Sequence, residues 1–225
     1  MPAAAFFDVD RTLLSHSSSL ALAPAFRERG LISRLDVAKA AVAQLVFVRF
    51  GAGHSRTGRT AERGVAVLEG VRVDTVRELV AEAVQTLLKP YVYREALDLV
   101  AEHAARGERS FLVTAGLQEV VEALAEELGV AGGIGSRAEV VAGVYSGRLA
   151  RRLYGPEKAA ALRELAAAQG IELSASAAYS DSVTDLPFLE AVGRPVAVNP
   201  DRRLARVAEE RGWTMRRFRD TLGSG

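Results

Sequence analysis

The sequence predicts an α/β protein with a doubly wound parallel sheet and an all-helical domain inserted near its N-terminus. Short apolar runs recur along the chain, each ending at polar residues, and helical patterns separate them. The segment 15–88 lacks a convincing buried strand and is instead rich in Ala, Arg, Leu and Val at helical spacing. Strands that alternate with helices indicate a parallel sheet, and its strands are apolar throughout because both faces are buried.

Four strands are expected in chain order, at 3–7 (AAAFF), 110–114 (SFLVT), 177–180 (AAYS) and 195–199 (PVAVN). Helices are expected between them at 117–128 and 156–169. The second of these begins with Pro156 and is followed by Gly170, which is the usual asymmetry of helix ends. Residues 139–149 alternate apolar and polar side chains around Ala142 and Gly143, which predicts a hairpin projecting from the core.

The insertion reads as four helices, at 20–29, 34–49, 57–68 and 73–88, separated by glycines. We therefore expect a core domain formed by 1–14 and 89–220 and a helical cap domain formed by 15–88. The tail 221–225 (TLGSG) is expected to be disordered. Trp213, Met215 and Phe218 are expected to be core contacts.

Composition excludes several classes of protein. The chain has no cysteine, which rules out a thiol nucleophile and Cys-ligated metal sites. Its net charge of +1 gives no bulk attraction to nucleic acid or anionic membranes. The longest apolar stretch, 40–50, is interrupted and too short to span a bilayer, and no signal peptide is visible. We expect a cytoplasmic protein with neither a nucleic-acid partner nor an integral membrane segment.

Polar residues follow the predicted strands at the points where these end. Asp8 and Asp10 follow the first strand, and Asp181 and Asp185 follow the third. The carboxyl ends of parallel strands meet at one edge of a sheet, so these four carboxylates converge. Each close pair of charges costs on the order of 4 kcal/mol at a surface-like dielectric. A hard cation relieves that repulsion, and Mg²⁺ is the natural candidate for an oxygen-only ligand set.

A phosphate group is the expected ligand of this edge. Thr114, the backbone N–H groups after it and Lys158 could hold phosphate oxygens beside the metal. Asp8 and Asp10 could lie on opposite sides of the phosphorus if the chain turns after Asp8. One carboxylate could then attack while the other protonates the leaving oxygen and later activates water.

Four motifs resemble those of the haloacid dehalogenase superfamily, in family order: FFDVDRTLL, FLVTAG, GPEKAAAL and YSDSVTDLP. The helical insertion after the first motif resembles the phosphoserine-phosphatase-like subgroup, whose helical cap closes over the substrate. The resemblance implies a Mg²⁺-dependent phosphatase that forms an aspartyl-phosphate intermediate. Its catalytic residues would be Asp8, Asp10, Thr114 and Lys158.

The resemblance also implies individual roles. Asp8 would be the nucleophile and a Mg²⁺ ligand, and Asp10 the general acid/base and a ligand through its backbone carbonyl. Asp181 would ligate the metal directly, and Asp185 would position metal-bound water. The residues expected to contact the substrate are Arg11, Thr12, Ala115, Gly116 and Ser17.

One departure bears on the substrate. Phosphoserine phosphatases usually carry a glutamate nine positions after the nucleophile to bind the substrate's ammonium group, and Ser17 stands there. A small-molecule phosphate other than free phosphoserine is therefore expected. The apolar stretch 40–50 suggests a lipid or prenyl phosphate, although a helix packed inside the cap is the commoner explanation. The alternative functions are a phosphotransferase or mutase of the same superfamily and a non-catalytic phosphate-binding module.

Overall fold

The protein is described by a computed structural model, which covers residues 1–32 and 65–224. Its central feature is a seven-stranded sheet with the order β4-β3-β2-β1-β5-β6-β7. The strands are β1 (Ala4–Phe7), β2 (Arg109–Leu117), β3 (Gly132–Val141), β4 (Val144–Arg151), β5 (Ala177–Ser180), β6 (Arg194–Val198) and β7 (Thr214–Arg216). All neighbouring pairs are parallel except the β3–β4 hairpin at one edge. The predicted fold class is confirmed.

Helices cover both faces of the sheet. In the described ranges they are α1 (Ser18–Glu28), α2 (Val73–Ala83), α3 (Arg94–Ala105), α4 (Gln118–Glu127), α5 (Pro156–Gln169), α6 (Leu186–Leu189) and α7 (Arg202–Arg211). A π-helical turn, Val84–Leu88, extends α2 and leads into a 3₁₀ turn, Lys89–Tyr91. The predicted cap helices 34–49 and most of 57–68 lie outside the described residues, so the division into core and cap stays a prediction.

The strands are buried on both faces, as their unbroken apolar sequences predict. Successive side chains of a strand point to opposite sides. Accordingly, Ala5 and Phe7 belong to one apolar cluster and Ala4 and Phe6 to another. The first cluster includes residues of α1, α2 and α4, whereas the second includes residues of α5, α6 and α7. The sheet is therefore doubly wound.

The hairpin forms as predicted, with Val141 paired to Val144 around the turn. The pairing of β3 with β2 ends at Ser136, whereas the pairing of β3 with β4 begins at Arg137, so the hairpin extends beyond β2. The first half of β3, which joins the sheet, was not predicted.

The sequence Gly133-Ile134-Gly135 lies in β3, which crosses α4 closely. A Cβ atom at Gly133 would lie 2.7 Å from a methyl carbon of Val121. Glycine, which lowers the strand propensity of the segment, is therefore required there by packing.

Other details also differ from prediction. Strand β2 continues past Thr114 to Leu117. The tail expected to be disordered is hydrogen-bonded as far as Ser224, and Leu222 packs against the core. Met215 is exposed, whereas Phe218 is buried as expected.

The two ends of the inserted segment meet at one point of the core. Leu14 and Val92 form an antiparallel bridge, and the N–H of Ser15 donates to the carbonyl of Tyr91 at 2.8 Å. Within the described residues, no helix is long and apolar enough to cross a membrane. The predicted cytoplasmic location stays a prediction.

Candidate active site

Lys158 lies at the centre of the polar cluster at the carboxyl edge of the sheet. It occupies the first turn of α5, and its side chain crosses to the end of β1. Its Nζ atom is 2.5 Å from Oδ1 of Asp8 and 2.6 Å from Oδ2 of Asp185. Ser180 donates a hydrogen bond to the same oxygen of Asp185, and the Phe188 ring lies 4.7 Å from Nζ. All of these groups come from positions where a strand or helix begins or ends.

Burial sets the protonation of this cluster. Removal from water raises the pKa of Asp8 to about 7, although the charge of Lys158 acts in the opposite direction. For Lys158, burial lowers the pKa, but the charges of Asp185 and Asp8 outweigh that effect and leave the pKa above its ordinary value. Lys158 is therefore a buried ammonium ion with two carboxylate partners.

Asp10 is held by the beginning of α1. Its Oδ1 accepts a hydrogen bond of 2.8 Å from the backbone N–H of Ser18, the first residue of that helix. Burial raises the pKa of Asp10, while hydrogen bonds from Ser18 and Ser17 oppose the rise. A carboxylate at a helix N-terminus is also favoured by the helix dipole. The general acid/base expected from the sequence thus contacts the segment that enters the insertion.

Asp181 follows β5 and lies next to Asp8. Burial and the negative charge of Asp8 raise the pKa of Asp181 well above its ordinary value. The Nε atom of Arg11 lies 3.4 Å from Oδ2 of Asp181 and partly compensates its charge. Arg11 has a φ of 65°, a left-handed conformation that is uncommon for a residue with a long side chain.

The remaining predicted residues lie nearby, but not all of them face a ligand. The Thr114 hydroxyl accepts a 3.0 Å hydrogen bond from Gly116, so that N–H, expected to bind phosphate, is already engaged. Gly116 also lies close to α1: a Cβ atom at this position would be 3.8 Å from Ser18 Oγ.

Thr12 is fully buried, and its hydroxyl has no hydrogen-bond partner in the described parts of the chain. Ser17 is buried and pairs with Ser19 at 2.9 Å. Ala115 is exposed.

The acidic side chains at this edge offer oxygen donors, the type of ligand that a hard divalent cation prefers. No group of three or more acidic or histidine side chains in residues 1–32 and 65–224 is arranged for a metal. This agrees with the contacts above, because Asp185 is bound to Lys158 and Asp10 to α1. The buried neighbours Asp8 and Asp181 remain, and the charge of Asp8 is one cause of the raised pKa of Asp181. Two carboxylates and a backbone carbonyl, all oxygen donors, suit Mg²⁺.

Three contact residues were not foreseen from the sequence: Ser18, Ser180 and Phe188. Ser180 could have been found, because it directly precedes Asp181 at the end of a buried strand. The contacts of Ser18 and Phe188 depend on where α1 and α6 approach the sheet, and no local pattern signals that.

Comparison with known proteins gives concordant results. A family model described as haloacid dehalogenase-like hydrolase matches residues 5–190. An "inhibition of morphological differentiation protein" of Streptomyces azureus is 44% identical over 216 residues, covering 96% of this chain and 78% of that protein. A phosphoserine phosphatase of Mycobacterium tuberculosis is 37% identical, covering 97% and 72%. A crystal structure of a Bordetella pertussis protein of unknown function superposes with a TM-score of 0.81 at 28% identity, covering 96% and 98%.

Proposed function

The chain belongs to the haloacid dehalogenase-like hydrolase family, as a phosphoserine-phosphatase-like hydrolase of phosphoric monoesters, and from that premise we propose a mechanism through a covalent phosphate on Asp8. The observation that supports this most strongly is the contact between buried Lys158 and Asp8. The charge of Lys158 lowers the pKa of Asp8 and so favours the ionised carboxylate against the opposing effect of burial.

In the first step, Asp8 attacks the phosphorus and the bond to the leaving oxygen breaks. Lys158 fixes one oxygen of Asp8, and the carboxylate needs only the other one to attack. Asp10 donates a proton to the leaving alkoxide, and its raised pKa favours the protonated form that this step requires. Thr114 lies at the same edge to orient the phosphate.

In the second step, water attacks the phosphorus and releases Asp8. Asp10, now ionised, accepts the proton of that water, and inorganic phosphate leaves. Mg²⁺ bound by Asp8, Asp181 and the backbone carbonyl of Asp10 would supply the positive charge that stabilises the transferring phosphoryl group. Asp185 holds Lys158 in place, and we assign to it this orienting role beside its predicted role toward metal-bound water.

The substrate is proposed to be a small-molecule phosphate monoester other than free phosphoserine. Ser17, at the position where phosphoserine phosphatases carry a glutamate, is turned inward toward Ser19 and Asp10. A serine also has no carboxylate with which to bind the ammonium group of phosphoserine. The stretch 40–50, which suggested a lipid or prenyl phosphate, lies outside the described residues, and that substrate class stays a prediction.

The deciding experiment is phosphate release from p-nitrophenyl phosphate with Mg²⁺. Asp8→Asn and added chelator are each expected to abolish release, whereas Asp98→Asn, at an exposed position on α3, should leave it unchanged. Release that survives Asp8→Asn would exclude the phospho-aspartate. Adding an alcohol acceptor separates hydrolysis from the alternative phosphotransferase, because a transferase would phosphorylate the acceptor instead of releasing phosphate.

A further inference from the structure

Arg11 brings a cation to the carboxylate that is proposed to bind the metal. It lies between Asp10 and Thr12, and its Nε is 3.4 Å from Oδ2 of Asp181. The side chain of Asp181 is only 7% exposed, whereas that of Arg11 is 34% exposed. The pair thus joins a fixed buried anion to a cation that has access to solvent.

The backbone at Arg11 is held in place by its neighbours. A left-handed conformation costs a residue other than glycine about 1 kcal/mol. The turn is maintained because the N–H groups of Leu13 and Leu14 donate to the carbonyl of Val9 at 3.1 and 2.9 Å. Strained residues persist where the surroundings over-determine them, and they are concentrated at functional sites. Here the strained residue directs a guanidinium toward the carboxyl edge of the sheet.

Asp181 needs a positive partner because Asp8 is its neighbour. Lys158 is bound to Asp8 and Asp185, so among the residues that the structure describes the ion-pair partner of Asp181 is Arg11. A divalent cation between Asp8 and Asp181 would supply the same compensation more strongly. Two cations cannot both lie against one carboxylate oxygen without repelling each other.

Resting on the proposed function, we propose that Arg11 and the divalent cation compete for Asp181, and that the guanidinium displaced by the metal binds the phosphate of the substrate. Arg11 thereby weakens metal binding and strengthens phosphate binding. The guanidinium suits the second role because its planar fork donates two parallel hydrogen bonds to phosphate oxygens.

The first test is calorimetric titration of metal-free protein with Mg²⁺ alone. Arg11→Gln removes the charge but retains a side chain of similar length, and it should bind Mg²⁺ about fivefold more tightly than wild type. Arg11→Lys keeps the charge and should bind as wild type does. Arg206→Gln is the matched control, because Arg206 lies at an exposed position of α7 and pairs only with Glu210 in the described structure. It should change nothing.

The second test is titration with inorganic phosphate at saturating Mg²⁺. Arg11→Gln should bind phosphate about fivefold or more weakly, which is opposite in sign to its effect on Mg²⁺. A purely structural role for Arg11 would weaken both ligands. If Arg11→Gln fails to fold, Arg11→Asn repeats both titrations with a residue that tolerates positive φ.

Equal Mg²⁺ affinity in wild type and Arg11→Gln would overturn the competition, and unchanged phosphate affinity would overturn the transfer of the guanidinium. Neither result affects the phospho-aspartate, which the Asp8→Asn assay tests separately. Absence of Mg²⁺ binding by wild type would remove both this inference and the metal of the proposed function, while leaving Asp8 as the nucleophile to be judged by its own assay.

Discussion

Lys158 is only 1% exposed, and its ammonium group has two carboxylate partners. A buried ion pair need not stabilise a protein relative to an apolar core of the same shape. Removing one partner does destabilise it, because the other charge stays buried alone. Asp8 and Asp185 would both be left in that condition without Lys158.

We therefore expect Lys158→Met to lower the free energy of unfolding by about 3–5 kcal/mol at neutral pH. Urea denaturation measures it. Lys89→Met is the matched control: Lys89 also pairs with a carboxylate, Glu127, at 2.7 Å, but it is 48% exposed. Its loss should cost less than about 1 kcal/mol. Equal losses in the two variants would contradict the role assigned to burial.

At the scale of elements, strand β3 and helix α4 approach each other so closely that a glycine is needed between them. A Cβ at Gly135 would lie 2.9 Å from the backbone N of Gln118, at the start of α4. The side chain of Gln118 then accepts from Gly135 N at 2.7 Å and donates to Gly133 O at 3.0 Å. Backbone atoms cannot move aside as a flexible side chain can.

Gly135→Ala should accordingly destabilise the protein by about 1–3 kcal/mol through overpacking. Arg137→Ala, at an exposed position of the same strand, should change stability by no more than about 0.5 kcal/mol. Thermal unfolding of both variants checks the difference. If Gly135→Ala left the stability unchanged, β3 and α4 would be able to move apart without a loss of stability.

The prediction that the C-terminal segment 221–225 is disordered was wrong for the residues described, as far as Ser224. Leu222 donates to the carbonyl of Val92, and Gly223 to that of Pro90, at 2.9 and 2.8 Å. Deleting residues 221–225 should lower the free energy of unfolding by about 1–3 kcal/mol, from two hydrogen bonds and a packed leucine. Denaturation of the truncated chain measures this, and an unchanged midpoint would mean that the segment is not held in solution.

The sequence predicted those elements in which local pattern and burial agree. The bounds of α5 and β5 match the prediction residue for residue, because a Pro and a Gly mark the helix and an unbroken apolar run marks the strand. The first half of β3 was missed because its glycines serve packing, which only the fold reveals. The side chain of Met215 was placed wrongly in the core, since β7 is a short edge strand.

The candidate site was predictable where strand ends gather carboxylates, since topology alone brings Asp8 and Asp181 together. The hydrogen-bond and ion-pair partners of the site residues were less predictable. Asp185, predicted to act through the metal, is bound to Lys158, and Ser17 is turned toward Asp10 instead of lying open to substrate. Sequence order cannot give such orientations, because they depend on how helices pack against the sheet.

At the scale of the whole molecule, buried acids make stability depend on pH. Asp8 titrates at about 7 in the folded protein and near 3.8 otherwise, and the pKa values of Asp10 and Asp181 are raised as well. Between these values the folded state binds more protons than the unfolded state. The raised pKa values therefore contribute to the unfolding free energy of the metal-free protein. This contribution is fully present below about pH 4 and is lost as the pH rises toward 7.

We expect Asp8→Asn to remove much of this pH dependence. The difference in unfolding free energy between Asp8→Asn and metal-free wild type should move in favour of the variant by on the order of 2 kcal/mol from pH 4 to pH 7. Urea denaturation at several pH values measures it. A difference that does not vary with pH would contradict the raised pKa of Asp8.

Mg²⁺ should raise the melting temperature more at pH 8 than at pH 5. Protons compete with the cation for these carboxylates, whose pKa values are raised, and they compete less at pH 8 than at pH 5. A ligand that binds the folded state more tightly stabilises it more. Melting curves with and without Mg²⁺ test this, with Ca²⁺ as a comparison ion. A shift of equal size at both pH values would place the bound ion away from Asp8 and Asp181.

The meeting of Leu14 with Val92 has a consequence for how such a protein can be rebuilt. The chain leaves the core and returns to it at adjacent positions, joined by a bridge and by the hydrogen bond from Tyr93 to Leu13. The entropy of closing a loop grows only by about 0.6 kcal/mol for each doubling of its length. A segment of another length or composition could be grafted between these two residues while Asp8, Asp185 and Lys158 keep their mutual contacts, provided that its first helix again offers Asp10 the N–H group that Ser18 supplies. Because the segment 15–88 is predicted to form a cap over the substrate, we expect its exchange to change substrate preference without redesign of the catalytic residues.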